Sequence, residues 1–225
     1  MQRKFTKTTF LRHLCGGLLL LSFSTTASVA MTGDPEIGKA LAARGDGSGA
    51  PCMACHAIDG TGNAFAGFPS LAGLDAGYLL KQMRDYNSGA RVSAVMQPNV
   101  DGYSDEELVH LAAYFASLPP APPASPTVSE DVLALGKKLA ERGAWDQYIP
   151  PCSSCHGPDN QGVGTDFPAI AGQHANYIAQ EIRAWRDGKR SNDTVQLMTG
   201  ISERLTDEQI DAVAAYLSTL PMRAE

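Results

Sequence analysis

The chain has 225 residues, of which 18 are basic and 24 acidic, for a net charge of −6. That length accommodates one large or two small domains. The acidic balance does not suit nucleic acid or an anionic membrane surface; it suits a partner with a basic docking face.

Residues 1–30 read as a secretory signal peptide. Arg3, Lys4, Lys7 and Arg12 precede the apolar stretch Leu18–Phe23, and Ser28, Val29 and Ala30 provide a cleavage site after Ala30, with Ala27 as the alternative. The apolar run falls well short of the roughly 20 residues a spanning helix needs. Cys15 precedes that run instead of closing it, which argues against a lipid-modified cysteine, and it is expected to leave with the signal. Removing the four basic residues takes the basic count from 18 to 14 against 24 acidic, a net charge of −10.

Beyond the signal the pattern is helical. A first helix is expected over Pro35–Arg44, followed by a glycine-rich stretch, Gly45–Gly49, and then Cys52-Met53-Ala54-Cys55-His56. Glycines mark Gly60–Gly67 as a loop. A second helix is expected over Ala76–Asn87 and a third over Asp105–Leu118. The start of the third is marked by Ser104 with Glu107, a capping box, and Leu108, Leu111 and Phe115 give it an apolar face. Residues 119–126, Pro-Pro-Ala-Pro-Pro-Ala-Ser-Pro, form a linker that should be extended and fairly stiff.

The same order then returns. Helices are expected over Glu130–Arg142, Ala175–Asp187 and Asp207–Leu220, the last capped by Thr206 with Gln209, and Cys152-Ser153-Ser154-Cys155-His156 repeats the first motif. Gly67-Phe68-Pro69-Ser70-Leu71-Ala72-Gly73 answers Asp166-Phe167-Pro168-Ala169-Ile170-Ala171-Gly172. Tyr78 answers Tyr177, Tyr86 answers Trp185, and Gly89-Ala90-Arg91 answers Gly188-Lys189-Arg190. Residues 113–119 answer 215–221. The chain is therefore an internal duplication, divided into residues 31–118 and 127–225 by the linker at 119–126. No alternating strand pattern of useful length occurs, so the fold class is all-α.

Cys-x-x-Cys-His is the attachment signature of c-type haem. Its two cysteines can form thioethers to one porphyrin, and its histidine can ligate the iron from one side. Two copies imply two covalently bound haem c groups, on Cys52, Cys55 and His56 and on Cys152, Cys155 and His156. Each iron then needs a sixth ligand, commonly Met or His in electron carriers. Met53 sits inside the attachment loop, and Met83 aligns with Ile182. Met96 remains; the offset of 102 between Ser104 and Thr206 carries it to Met198. Both lie in a segment read as loop before the last helix of their half. His110 aligns with Ala212, and His174 has no histidine counterpart, so both read as surface residues.

These features resemble the class I cytochromes c, and more closely the dihaem cytochrome c4 family, over nearly the whole chain after the signal. The resemblance implies two tandem class I cytochrome c domains joined by the proline-rich linker. It further implies that the carbonyls of Pro69 and Pro168 accept hydrogen bonds from the histidine Nδ1 groups. Leu71 and Ile170 would pack on the porphyrins. Gly38 and Gly136 would admit the last helices near Tyr114 and Tyr216. Arg91 and Arg190 are read either as contacts to haem propionates or as ordinary surface arginines.

The function so implied is electron carriage in the periplasm, from a cytochrome bc complex or a dehydrogenase to a terminal oxidase, with membrane association only through those partners. Two alternatives remain at this point: a haem subunit of a dehydrogenase complex, and a dihaem enzyme of peroxidase or thiosulfate-oxidising type, which would need one open iron. The chain departs from its own repeat before the attachment motifs, where Gly45–Gly49 stands against Trp145-Asp146-Gln147-Tyr148-Ile149-Pro150.

Overall fold

Asp34 starts the first helix by accepting the backbone N–H groups of Glu36 and Ile37, and α1 runs over Pro35–Arg44. A single turn follows at Cys52–His56 (α2). The Asp75 carboxylate caps α3, Ala76–Ser88, through the Tyr78 N–H at 2.7 Å, and Gly89 ends it with φ +76°, a conformation that favours glycine. A short α4, Gln97–Val100, leads to α5, Asp105–Ser117. The second half repeats this order with α6 Glu130–Arg142, α7 Ser153–His156, α8 Ala175–Arg186, α9 Leu197–Ser202 and α10 Asp207–Ser218. Both capping boxes form: Ser104 with Glu107, and Thr206 with Gln209. This computed structural model describes residues 32–223 except 48 and 194. The segment read as a signal peptide, Cys15 included, lies outside the described residues.

The long helices end within two residues of their expected limits. The differences lie at α4 and α9, where the sequence reading had loops alone. Segments of four and six residues are too short to show a helical period. They are started by local polar contacts: Ser93 Oγ accepts the Met96 N–H at 3.1 Å, and the Asp193 carboxylate accepts that of Met198 at 2.7 Å.

Each half is held by its first and last long helices crossing at a glycine. A Cβ on Gly38 would lie 2.0 Å from the His110 carbonyl oxygen and 2.7 Å from Tyr114 Cβ. One on Gly136 would lie 2.1 Å from the Ala212 carbonyl oxygen and 2.7 Å from Tyr216 Cβ. The duplicated architecture therefore depends on the same close approach twice.

Around these crossings lie two cores. The first gathers Leu41, Leu79, Leu108, Leu111 and Phe115; the second gathers Leu139, Ile178, Ile210, Val213 and Leu217. Burying each such side chain stabilises the fold by roughly 1.5–3 kcal/mol. Cys52 and Leu71 pack on the first core, Cys152 and Ile170 on the second, so each attachment site lies against its domain's interior. The linker is without regular structure and is tied down by the Ala124 N–H, which donates to the Ser218 carbonyl at 2.9 Å. Among the described residues no helix is long and apolar enough to cross a membrane.

Candidate functional site

The two attachment motifs present their histidines alike. His56 Nδ1 donates to the Pro69 carbonyl at 3.0 Å, and His156 Nδ1 donates to the Pro168 carbonyl at 2.7 Å. A carbonyl only accepts, so Nδ1 carries the hydrogen and the neutral ring is left with its lone pair on Nε2. Burial pushes both imidazoles below their usual pKa and keeps them neutral. His56 Nε2 is buried and has no protein partner. An orphaned lone pair in a buried ring costs free energy unless something binds it, and it fits an iron ligand.

Gly62 brings the two strands of the first loop together. It has φ +74°, its N–H donates to the His56 carbonyl at 2.9 Å, and a Cβ there would lie 2.4 Å from Pro69 O. Reading Gly60–Gly67 only as a loop missed this role; the recurrence of glycine at 162 was the available signal. Beside the rings, Phe68 and Phe167 each lie 6.4 Å from their histidine, centroid to centroid.

The four cysteines of the motifs are free and partly buried. Burial raises the Cys52 thiol above its ordinary pKa and pushes Cys152 up to about 11. Both thiols are thus favoured in the protonated form. The donor set of each half, two thiols and one imidazole with its Nε2 lone pair free, fits a covalent haem.

Met96 and Met198 are half-buried. Met96 immediately precedes α4, while Met198 is the second residue of α9, so the reading of Met198 as non-helical is corrected. In the first half the segment holding Met96 is also tied to the stretch before the attachment motif. Asn99 Oδ1 accepts the Ala50 N–H at 2.7 Å, and its Nδ2 donates to the Val95 carbonyl at 2.7 Å.

Arg91 and Arg190 meet at the seam between the halves, where their backbones form an antiparallel bridge. Arg91 is 6% exposed, so the reading as an ordinary surface arginine is corrected. It donates to Gln82 at 2.9 Å, Tyr177 at 3.1 Å and Glu181 at 2.8 Å. Arg190 donates to Glu181 at 2.5 Å, Gln82 at 3.2 Å and Asn192 at 3.0 Å. Each guanidinium also stacks on its own half's aromatic residue, Arg91 on Tyr86 at 4.8 Å and Arg190 on Trp185 at 4.6 Å. Burial works against the charge of both arginines, but the surrounding Glu181 and tyrosine oxygens hold their pKa values above the usual one.

His174, read as a surface residue, is half-buried, and its Nε2 donates to Thr61 O at 2.8 Å across the seam. Next to it, Gln173 pairs with both backbone groups of Ser70, at 2.9 and 2.8 Å. His110, half-buried, accepts the Asp34 N–H at 2.8 Å and so pins the start of α1 to α5. The sequence reading missed Gln82 and Glu181, although they are equivalent: each lies four residues after the paired Tyr78 and Tyr177.

The cytochrome c family matches residues 36–119 and 133–221, once over each half. The chain belongs to the cytochrome c family. Its two-domain form is that of cytochrome c4: the solved cytochrome c4 of Pseudomonas stutzeri superposes with a TM-score of 0.75 at 34% identity, covering 84% of this chain and 100% of that one. A thiosulfate dehydrogenase electron acceptor of Stutzerimonas stutzeri is 45% identical over 169 residues, 75% of this chain and 78% of that protein. The solved thiosulfate dehydrogenase of Marichromatium purpuratum superposes with a TM-score of 0.77 at 34% identity over 84% of this chain, which spans 41% of that protein's length. This cytochrome is thus a tandem pair of cytochrome c domains carrying two covalent haem c groups, and it serves electron transfer, not substrate turnover.

Proposed function

We propose that this cytochrome is a periplasmic carrier that takes electrons from a thiosulfate dehydrogenase and passes them toward a terminal oxidase of the respiratory chain. The identity to a thiosulfate dehydrogenase electron acceptor supports the donor. The basic n-region and short apolar stretch of residues 1–30 support export by a cleaved signal.

In this reading Cys52 and Cys55 would anchor one haem and Cys152 and Cys155 the other, and the iron ligands would be His56 with Met96 and His156 with Met198. Each haem, when bound, supplies a one-electron iron couple. The single observation that carries the ligand assignment is the buried, unpartnered Nε2 of His56, on a ring oriented by Pro69. The Pro69 and Pro168 carbonyls also raise the basicity of their imidazoles. Thioethers are soft donors, so Met96 and Met198 favour ferrous iron and hold the potential above that of a two-histidine site.

Arg91 and Arg190 are assigned to the haem propionates. At the seam Arg91, Arg190 and Lys81 face Glu181 and Asp85, three cations against two carboxylates, which favours a further carboxylate there.

A second reading is a permanent subunit of the dehydrogenase. It is favoured by the Marichromatium protein, where a region similar to 84% of this chain is part of a thiosulfate dehydrogenase. Stopped-flow mixing of the oxidised holo-protein with a thiosulfate dehydrogenase and thiosulfate tests the donor. Both haems should become reduced within the enzyme's turnover time, and an unchanged spectrum would remove the dehydrogenase as donor. Gel filtration of the mixture then separates carrier from subunit: the free carrier elutes alone.

A further inference from the structure

We propose that the hairpin carrying Trp145 and Tyr148 is the docking element of the second domain, and that its occupant is a redox protein with an apolar pocket rimmed by basic residues. The inference rests on the electron-carrier reading above and adds where the partner sits.

The two side chains are 68% and 79% exposed. Neither ring belongs to either core, and Trp and Tyr are enriched among the few residues that dominate binding energy at interfaces. Their backbone is rigid. Ala144 and Ile149 exchange both backbone hydrogen bonds, at 2.8 and 3.0 Å, and both are buried, Ile149 at 2% exposure within the second core. Gln147 is tied to α10 through Gln209 at 3.2 Å. Tyr148 itself holds φ +57°, which an aromatic residue rarely adopts. The hairpin therefore presents its two rings from a backbone with little conformational freedom left to lose on binding.

The location suits electron entry. Ile149 is separated from Cys152 by two prolines alone. In the first half the equivalent stretch touches Asn99, beside Met96, so the approach to the attachment motif and the distal ligand segment share one edge of the domain. The hairpin occupies the corresponding approach in the second half.

Charge selects the occupant. Asp146 lies between the two aromatic residues and Glu208 next to Gln209, and both are exposed. With 14 basic and 24 acidic residues from 31 onward, a second copy of the chain is repelled, while a basic-rimmed protein is attracted. The transfer is of one electron: the partner's centre loses it and the cytochrome's iron gains it, with no bond made or broken.

The test uses holo-protein carrying Trp145→Ala and Tyr148→Ala together, after its absorbance and potentials have been found unchanged. Stopped-flow reduction by thiosulfate dehydrogenase should slow tenfold or more, while reduction by ascorbate keeps the wild-type rate. Phe65→Ala removes a fully exposed aromatic side chain from the first half and should leave both rates unchanged. Equal rates for the double variant and wild type with the dehydrogenase overturn the proposal. If the dehydrogenase does not reduce the wild type, the donor reading falls. The same variants are then read in oxidation of the reduced protein by oxidase-containing membranes, where a tenfold loss supports the hairpin as docking element and equal rates overturn it.

Discussion

In the first domain the chain between α1 and Cys52 is glycine-rich and borrows its order from Asn99, in the segment of Met96. In the second domain the same stretch closes on itself through Ala144 and Ile149 and holds two aromatic rings in water. Both deliver a one-turn Cys-x-x-Cys-His helix whose histidine is oriented by a proline carbonyl. The duplication has kept what orients the histidine and what lets the helices cross, and has varied the route leading in. The seam varies in the same way: Gln82 and Glu181 are equivalent by position, yet one carboxylate serves both arginines.

Four experiments break or sharpen this comparison. The largest effect is expected from Cys152→Ser with Cys155→Ser. Mass spectrometry should find one haem attached instead of two, and the second domain should melt well below the first, because a small domain loses a large part of its interior with the cofactor. Two haems still attached would contradict the assignment of the motif.

Next is Met198→His, set against Met96→His. Each should lower the potential of one haem by about 0.1 V or more, within the ~0.8 V range that axial ligands span, and leave the other nearly unchanged. A redox titration in which neither wave moves would show that these methionines are not ligands.

Glu181→Gln makes the seam symmetrical and leaves two buried guanidinium groups without their shared carboxylate. Removing one partner of a buried ion pair costs about 3–5 kcal/mol; Glu181 is partly exposed, so roughly 2–3 kcal/mol is expected from denaturant unfolding of the holo-protein. A loss below about 0.5 kcal/mol would mean that the seam is not held by this carboxylate.

The smallest effect is that of acid. Arg84 holds the Asp105 carboxyl below the usual range, and Arg186 with Arg183 does the same for Asp207. A depressed carboxyl contributes stability at pH values above its unfolded pKa and loses it as pH falls through the folded one. Melting temperature should therefore decline below about pH 4, and Arg84→Ala should flatten that decline slightly for the first domain alone. Both carboxyls are exposed, so the effect stays small.

Much of this was legible in the chain itself. Asp105 after Ser104, with Leu108, Leu111 and Phe115 on one face, specifies α5 through local chemistry, and all three apolar residues are buried. The repeat also singled out Met96 and Met198 as candidate ligands, because position in a duplicated sequence carries information that a lone methionine lacks. The seam was not legible. Arg91 was visible as half of a repeated pair, but its partners Tyr177 and Glu181 lie 86 and 90 residues away, and no local pattern announces such contacts. His174 misled for the same reason: without a counterpart it read as surface, whereas its partner, Thr61, is in the other domain. The short helices at Met96 and Met198 depend on single side-chain contacts from Ser93 and Asp193, which periodicity cannot register.

The central claim is that both irons are closed by a methionine and built to pass electrons. Anaerobic redox titration, followed optically into the near infrared and by low-temperature EPR, tests it most directly. The account predicts two one-electron, low-spin haems, each with a methionine–iron band, and no carbon monoxide bound after reduction. A high-spin iron in the oxidised protein, or carbon monoxide binding at one haem, would contradict it.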